Sequence, residues 1–356
     1  MRVYPLLRPL LFAIGPEQAH RLAIHVLKSG FIREPVVADP RLRNRILGID
    51  FPNILGMAAG FDKNGEVPEA LLKIGFGFVE VGTVTPLPQQ GNPRPRMFRL
   101  TADHAVINRL GFNNEGHDVV FARLKARAGT GVLGINIGAN KDSTDRVADY
   151  VAGVERFAGL ADYLTINVSS PNTPGLRKLQ EKSALSELLA AVSETRDRPG
   201  GLRTPLFLKI APDLTEAELA GIADAALASG IEGMIVSNTT ISRDGLPESR
   251  RSKEEGGLSG RPLFRRSTIV LAKLRRLVGR RLVIVGVGGV DSAEAAFAKI
   301  AAGADLVQLY TGLIFEGPGL PARILNELVG YLDRHRFPSI ADAVGVDTDL
   351  WAAANP

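Results

Sequence analysis

The chain has 356 residues, 45% hydrophobic and 23% charged, enough to bury one large α/β domain or two ordinary ones and too apolar to be disordered. It contains no cysteine, which excludes disulfides, cysteine-ligated metals, iron–sulfur clusters and a cysteine nucleophile. The net charge of +5 is spread without a long basic block, so nucleic acid is not the expected partner; an anionic ligand or an anionic membrane surface suits it as well.

Residues 1–30 form a separate piece. Tyr4, Leu6, Leu7, Leu10, Leu11, Phe12 and Ile14 cluster around Pro5, Arg8 and Pro9. Pro16-Glu17 then opens a helical pattern carrying Leu22, Ala23, Ile24, Val26 and Leu27. The apolar run is too short and too interrupted to span a bilayer of about 30 Å, and no small-residue cleavage site marks it as a signal peptide. Two readings stand: an arm packed on its own domain, or an amphipathic hairpin offering an apolar face to a membrane.

From residue 40 onward β and helical patterns alternate. Strands are predicted near 54–58, 77–84, 132–137, 162–168, 205–210, 232–237, 282–287 and 304–309, and helices over 64–74, 114–127, 144–157, 182–196, 215–229, 264–278, 291–302 and 319–333. Eight β-α units without a linker predict an α/β fold, a (β/α)8 TIM barrel, with a small N-terminal helical extension; a doubly wound sheet is the alternative. The expected division is an arm over 1–38, a barrel over 39–340 and a tail over 341–356. Asp39 to Pro52 reads as a hairpin, Arg94 to Leu110 as a β-leaning insertion, and Arg243 to Pro262 as a charged, glycine-rich loop.

In such a barrel the strand ends converge on one mouth, where ligands bind. There the chain places Ala59-Gly60-Phe61-Asp62-Lys63, Thr83, Asn108-Arg109-Leu110-Gly111-Phe112, Asn136, Asn167, Ser169-Ser170-Pro171-Asn172, Lys209, Ser237-Asn238-Thr239, Gly288-Gly289 and Tyr310-Thr311-Gly312. Asparagine and serine offer neutral donors and acceptors, and Lys63, Arg109 and Lys209 add positive charge, a set suited to a heteroaromatic, anionic ligand. The glycines after the seventh and eighth strands match a phosphate site built from backbone N–H groups. Lys209 interrupts the apolar strand Leu206-Phe207-Leu208-Lys209-Ile210; an unpaired buried ammonium is costly, so it should face a ligand or a carboxylate. It could serve as a Schiff-base lysine or as a cation facing a cofactor. The five histidines, His20, His25, His104, His117 and His335, lie outside the strand ends, and no spacing reads as a metal site. Ser170 is then the leading candidate for a base, although a serine hydroxyl needs a positioned acceptor to act as one.

The motifs A-G-F-D-K-N-G, N-R-L-G-F-N-N, N-V-S-S-P-N-T-P-G-L-R, K-I-A-P-D, S-N-T-T, G-V-G-G-V and Y-T-G, in order on successive strand ends, closely resemble dihydroorotate dehydrogenases of class 2, the quinone-dependent, membrane-associated form. The resemblance runs from the arm to about Phe315. It implies a barrel holding FMN that oxidises dihydroorotate to orotate in pyrimidine biosynthesis. Ser170 stands at the position of the catalytic base, where class 1 members carry cysteine. The resemblance further implies substrate contacts at Lys63, Asn108, Arg109, Leu110, Gly111, Phe112, Asn167, Asn172, Asn238 and Thr239. It implies FMN contacts at Ala59, Gly60, Phe61, Asp62, Lys63, Thr83, Asn136, Asn167, Lys209, Ser237, Gly260, Gly289, Tyr310 and Thr311. A membrane quinone is the implied electron acceptor, reached through peripheral membrane contact of the arm, on the cytoplasmic side of the inner membrane if the source is bacterial. The apolar residues expected in the membrane interface are Leu6, Leu7, Leu10, Leu11, Phe12, Leu22 and Ile24.

Overall fold

The structure, a computed structural model, describes residues 4–35, 37–198, 202–247 and 251–355. Two helices come first, α1 (Tyr4–Ala13) and α2 (Pro16–Lys28), followed by the antiparallel hairpin β1 (Asn44–Ile46) and β2 (Ile49–Phe51) at the place predicted for it. The predicted alternation then appears in order. It runs β3 (Leu55–Met57), α3 (Pro68–Lys73), β4 (Phe78–Val84), β5 (Met97–Leu100), β6 (Ala105–Asn108), α4 (Gly116–Lys125), β7 (Val132–Ile137) and α5 (Arg146–Phe157). It continues with β8 (Tyr163–Asn167), α6 (Lys182–Arg196), β9 (Leu206–Ile210), α7 (Glu216–Ser229), β10 (Gly233–Val236), β11 (Gly257–Gly260) and α8 (Leu263–Val278). It closes with β12 (Val283–Val287), α9 (Ala293–Ala301), β13 (Leu306–Leu309), α10 (Thr311–Glu316), α11 (Leu320–His335) and α12 (Thr348–Ala352).

Strands β3, β4, β7, β8, β9, β10, β12 and β13 pair in parallel, and β13 returns to β3, so the sheet closes into a barrel. Strands buried on both faces must be apolar throughout, and β4, β7, β8 and β9 are buried at every position. Large rings fill the interior over glycines of neighbouring strands. A Cβ on Gly56 would strike the Phe78 ring, one on Gly134 the Tyr163 ring, and one on Gly233 the Phe207 ring. Helix starts follow local chemistry: Asp145 accepts the Ala148 N–H at 3.0 Å, and Thr215 and Glu218 form a reciprocal capping box.

Two departures from the sequence reading matter for the site. The loop after β10 contains a strand, β11, which pairs antiparallel with β6 and completes a three-stranded sheet with β5 beside the barrel mouth. The predicted helix over 64–74 is confined to Pro68–Lys73, because the Asp62 carboxylate captures the Glu66 and Val67 N–H groups in a loop. The C-terminal segment is docked by Trp351, whose ring meets Phe264 edge-on at 5.9 Å.

The arm packs on its own domain and also leaves large apolar side chains exposed. Ile24 and Leu27 join the main core, and Phe12 packs edge-on against Phe315 with the Arg99 guanidinium over its other side. Ile24 is therefore not free to enter a membrane, contrary to expectation, because it is buried in the main core, and Phe12 is half-buried against Phe315. Leu6, Leu10 and Phe31 are 77%, 69% and 90% exposed, and Leu7 and Leu22 are exposed as well. Among the described residues no helix is long and apolar enough to cross a membrane.

Candidate active site

The barrel mouth holds a cavity of about 1150 Å³, counting its open entrance. Its floor is a ladder of amides resting on one buried carboxylate. Glu80, wholly buried on β4, accepts from Asn136 Nδ2 at 2.7 Å, from Gln308 Nε2 at 2.8 Å and from Tyr163 Oη at 3.1 Å. A carboxylate only accepts, so Asn136 turns its amide nitrogen down and its oxygen up. That oxygen takes the Thr83 hydroxyl at 2.6 Å and Asn167 Nδ2 at 3.0 Å. Asn167 Oδ1 in turn accepts from the Ser169 hydroxyl at 3.1 Å and from Asn238 Nδ2 at 3.3 Å. The donor and acceptor ends of Asn167 and Asn238 are thus set by Glu80 below them.

Ser170 is buried on the cavity wall, one residue beyond the end of this ladder, with its Oγ accepting the Asn172 N–H at 3.2 Å. Its loop is clamped by Arg177, which donates to Ser169 O at 3.1 Å, to Thr239 O at 3.0 Å and to Asp213 at 2.9 Å. Asn172 reaches across to Asn108 Oδ1 at 3.3 Å. Lys209 enters the cavity from β9; burial pushes its pKa down and the Glu80 charge pushes it back up. Lys63 borders the cavity and donates to Gly60 O at 2.7 Å. It is deep enough that burial is the main influence on it, and despite the opposing pull of Glu17 and Asp62 its pKa is lowered to about 8.

At the other end the cavity is closed by backbone. A Cβ on Gly289 would lie 2.4–2.7 Å from the Phe264 main chain and Cβ, and one on Gly312 would lie 2.5 Å from Val290 O. Only glycine lets these segments approach so closely. The Thr311 hydroxyl donates to Ser259 Oγ at 2.9 Å, tying β11 to the start of α10.

Ala59, Gly60, Lys63, Thr83, Asn108, Leu110, Gly111, Phe112, Asn167, Ser170, Asn172, Lys209, Ser237, Asn238, Thr239, Gly260, Gly289, Tyr310 and Thr311 all line this one cavity, as the sequence reading expected. Four predicted contacts do not. Arg109 pairs with Glu254 at 2.9 Å and stacks on the Phe98 ring. Asp62 serves as the loop cap described above. Asn136 lies beneath the wall, in the ladder. Phe61 faces a second cavity. Sequence reasoning missed Met97, Val106, Ser259 and Ile314, which come from the small sheet and α10, and it missed Glu80.

The second cavity, about 1610 Å³, lies between the arm and the barrel and is lined by Leu7, Leu11, Ala19, Leu22, Ala23, Phe61 and their neighbours. It shares Met97, Val106, Tyr310 and Ile314 with the polar cavity, so the two abut. Phe61 meets Tyr310 and His20 edge-on there, and burial, helped by the nearby Lys63 charge, lowers the His20 pKa to about 3, keeping it neutral. Glu17 fastens the arm, accepting from Arg96 at 2.7 Å and Arg94 at 3.0 Å.

A family model described as dihydroorotate dehydrogenase matches residues 41–332. A dihydroorotate dehydrogenase (quinone) of Rhizobium rhizogenes is 59% identical over 346 residues, covering 96% of each chain. That of Brucella ovis is 60% identical over 350 residues, 97% of this chain and 96% of its own. Among solved structures, the Eimeria tenella DHODH in complex with ferulenol superposes with a TM-score of 0.90 at 42% identity, covering 94% of this chain and 96% of its own. The match extends across the barrel, the strand ends that build the polar cavity and the arm, and so the chain belongs to the dihydroorotate dehydrogenase family.

Proposed function

We propose that the protein oxidises dihydroorotate to orotate in pyrimidine biosynthesis, using FMN in the barrel cavity and a membrane quinone as final electron acceptor. The observation that carries this reading is the pair of abutting cavities, one polar and one apolar, that share Met97, Val106, Tyr310 and Ile314 as lining residues. A planar anion and a lipid-soluble ring thereby approach a common centre from chemically opposite sides.

The residues present fit FMN. The glycine-closed end around Gly289 and Gly312 suits a phosphate, the amide ladder suits the edges of a flavin ring, and Lys209 supplies a cation. Ala59, Gly60, Thr83, Asn167, Ser237, Gly260, Tyr310 and Thr311 complete the holding surface. Bound there, FMN supplies the hydride acceptor. Lys63 offsets the substrate carboxylate, while Asn108, Asn172, Asn238 and Thr239 hold the ring amides. Ser170 takes the proton from C5 and passes its own hydroxyl proton to solvent in the cavity as hydride leaves C6, which forms the C5–C6 double bond of orotate. The Arg177 clamp holds Ser170 in place for this step.

The arm over residues 1–38 is read as the membrane-contacting unit of a peripheral membrane protein, on the cytoplasmic side in a bacterium. Exposed Leu6, Leu7, Leu10 and Phe31 would enter the interface, while Leu11 and Ala23 line the apolar route inward. Arg21 remains exposed for anionic headgroups, whereas Arg8 is held by Phe315 O and Lys28 by Glu66; Arg2 lies outside the described residues. The test is the visible spectrum of the purified protein. Yellow protein that bleaches anaerobically with dihydroorotate and recovers colour with quinone is expected; folded protein unable to take up FMN refutes the reading.

A further inference from the structure

Lys299 lies on α9, the helix that follows the glycine segment Gly288-Gly289, and it is wholly buried. Its Nζ donates to Ser267 Oγ at 2.6 Å and sits 5.3 Å from the centre of the Phe264 ring. Among the described residues no carboxylate pairs with it, and burial alone pushes its pKa well down. An unpaired ammonium in such a place is costly, and a methionine or leucine would fill the space without that cost. Its surroundings all belong to the glycine segment's support. Ser267 Oγ lies 3.2 Å from Gly288 O and 2.8 Å from Leu263 O, and Phe264 is the residue against which Gly289 packs. Gly288, Gly289 and Leu263 line the polar cavity one layer further out.

We propose that Lys299 is a positioning residue that stands behind the phosphate end of the cofactor cavity and makes the site prefer a phosphorylated flavin over an unphosphorylated one. Through Ser267 it holds the Gly288 carbonyl back, leaving the N–H groups of the segment to face the anion, and the arriving phosphate favours its protonated form. This inference rests on the FMN reading above.

The full-length chain is stripped of flavin and titrated with FMN and with riboflavin, which lacks the phosphate. Lys299→Met should weaken FMN binding about 10- to 50-fold, the scale of a charge interaction across part-screened protein, while riboflavin binding stays within about twofold of wild type. The flavin-free variant should melt no lower than wild type, since a buried amine whose ionisation burial opposes has been removed. Ser267→Ala, a smaller change, should lower the FMN-to-riboflavin preference in the same direction, and it decides the question if Lys299→Met does not fold. Equal weakening of both flavins, or an unchanged preference, overturns the proposal. A wild-type protein that binds neither flavin instead overturns the FMN reading itself.

Discussion

Replacing Lys63 by methionine should make the protein more stable and at the same time worse at binding orotate. Holding a lysine at about 8 rather than its ordinary 10.5 disfavours the charged form by about 3 kcal/mol. Methionine removes that penalty but also the hydrogen bond to Gly60 O, worth about 1 kcal/mol. Lys63 still meets water in the cavity, so the net gain expected at pH 7 is about 1–2 kcal/mol. The folded pKa lies below the unfolded one, so between about 8 and 10.5 the unfolded chain binds the extra proton. Wild-type stability therefore rises through that window, and the advantage of the variant should shrink by its upper end. Loss of a charge-assisted contact to the substrate carboxylate costs roughly 1.5–3 kcal/mol, or about 10- to 150-fold in orotate affinity. In the wild type that affinity should be full below about pH 8 and fall above it as the ammonium is lost; the variant should show no such break. Urea unfolding of flavin-free protein at pH 7 and pH 10, with orotate titrations followed by flavin absorbance, measures both effects. A less stable Lys63→Met, or one that binds orotate as tightly as wild type, refutes the reasoning.

Ser170→Ala should slow reduction by dihydroorotate about 10²–10⁴-fold in stopped flow while flavin stays bound; reduction at the wild-type rate rules out Ser170 as the base. Glu80→Leu leaves donors of Asn136 and Tyr163 unpaired at about 1–3 kcal/mol each and Gln308 with only its contact to Tyr163 Oη, so stability and orotate affinity should both fall by at least about tenfold. Glu80→Gln should keep orotate affinity within a few-fold, because Gln308 Oε1, buried without a partner, becomes available to the new amide when Gln308 turns over; equal damage from both variants would show that the ladder's direction is irrelevant. Deleting residues 1–36 should leave reduction by dihydroorotate intact and abolish vesicle binding and rapid re-oxidation by long-tail quinone; full-length rates in vesicles would reduce the arm to a packing element.

The barrel was legible because its strands are short apolar runs, most of them rich in β-branched residues, that alternate eight times with helix-length amphipathic segments. Strand β11 was not, since Gly257-Leu258-Ser259-Gly260 has two glycines and one large apolar residue. It exists because β6 offers it an edge, which is tertiary information. Lys209 was picked out as a lone charge in an apolar strand. The same signal was present in Phe78-Val79-Glu80-Val81, where Glu80 went unremarked although it directs the asparagine ladder. Arg109 and Asp62 were misplaced for a different reason. Motif membership names a segment, but which side chain turns to the cavity depends on its partners, Glu254 far along the chain in one case and the nearby loop N–H groups of Glu66 and Val67 in the other.

The small sheet and the arm matter together. Without β5, β6 and α10, the barrel mouth would open directly into the apolar cavity, since Met97, Val106 and Ile314 form the wall between them. A polar groove lined by Asn92, Arg94, Arg109 and Asn172 meets the mouth at Asn172, beside Ser170, and shares no lining residue with the apolar cavity. On the proposed reading a charged substrate entering by that groove would not cross the apolar wall, and a quinone under the arm would not meet the amide ladder. The two ligands then occupy different spaces, so orotate and quinone should not displace one another. On the proposed reading the wall residues, with Tyr310 and Phe61 packed edge-on beside them, would lie between the flavin and the quinone.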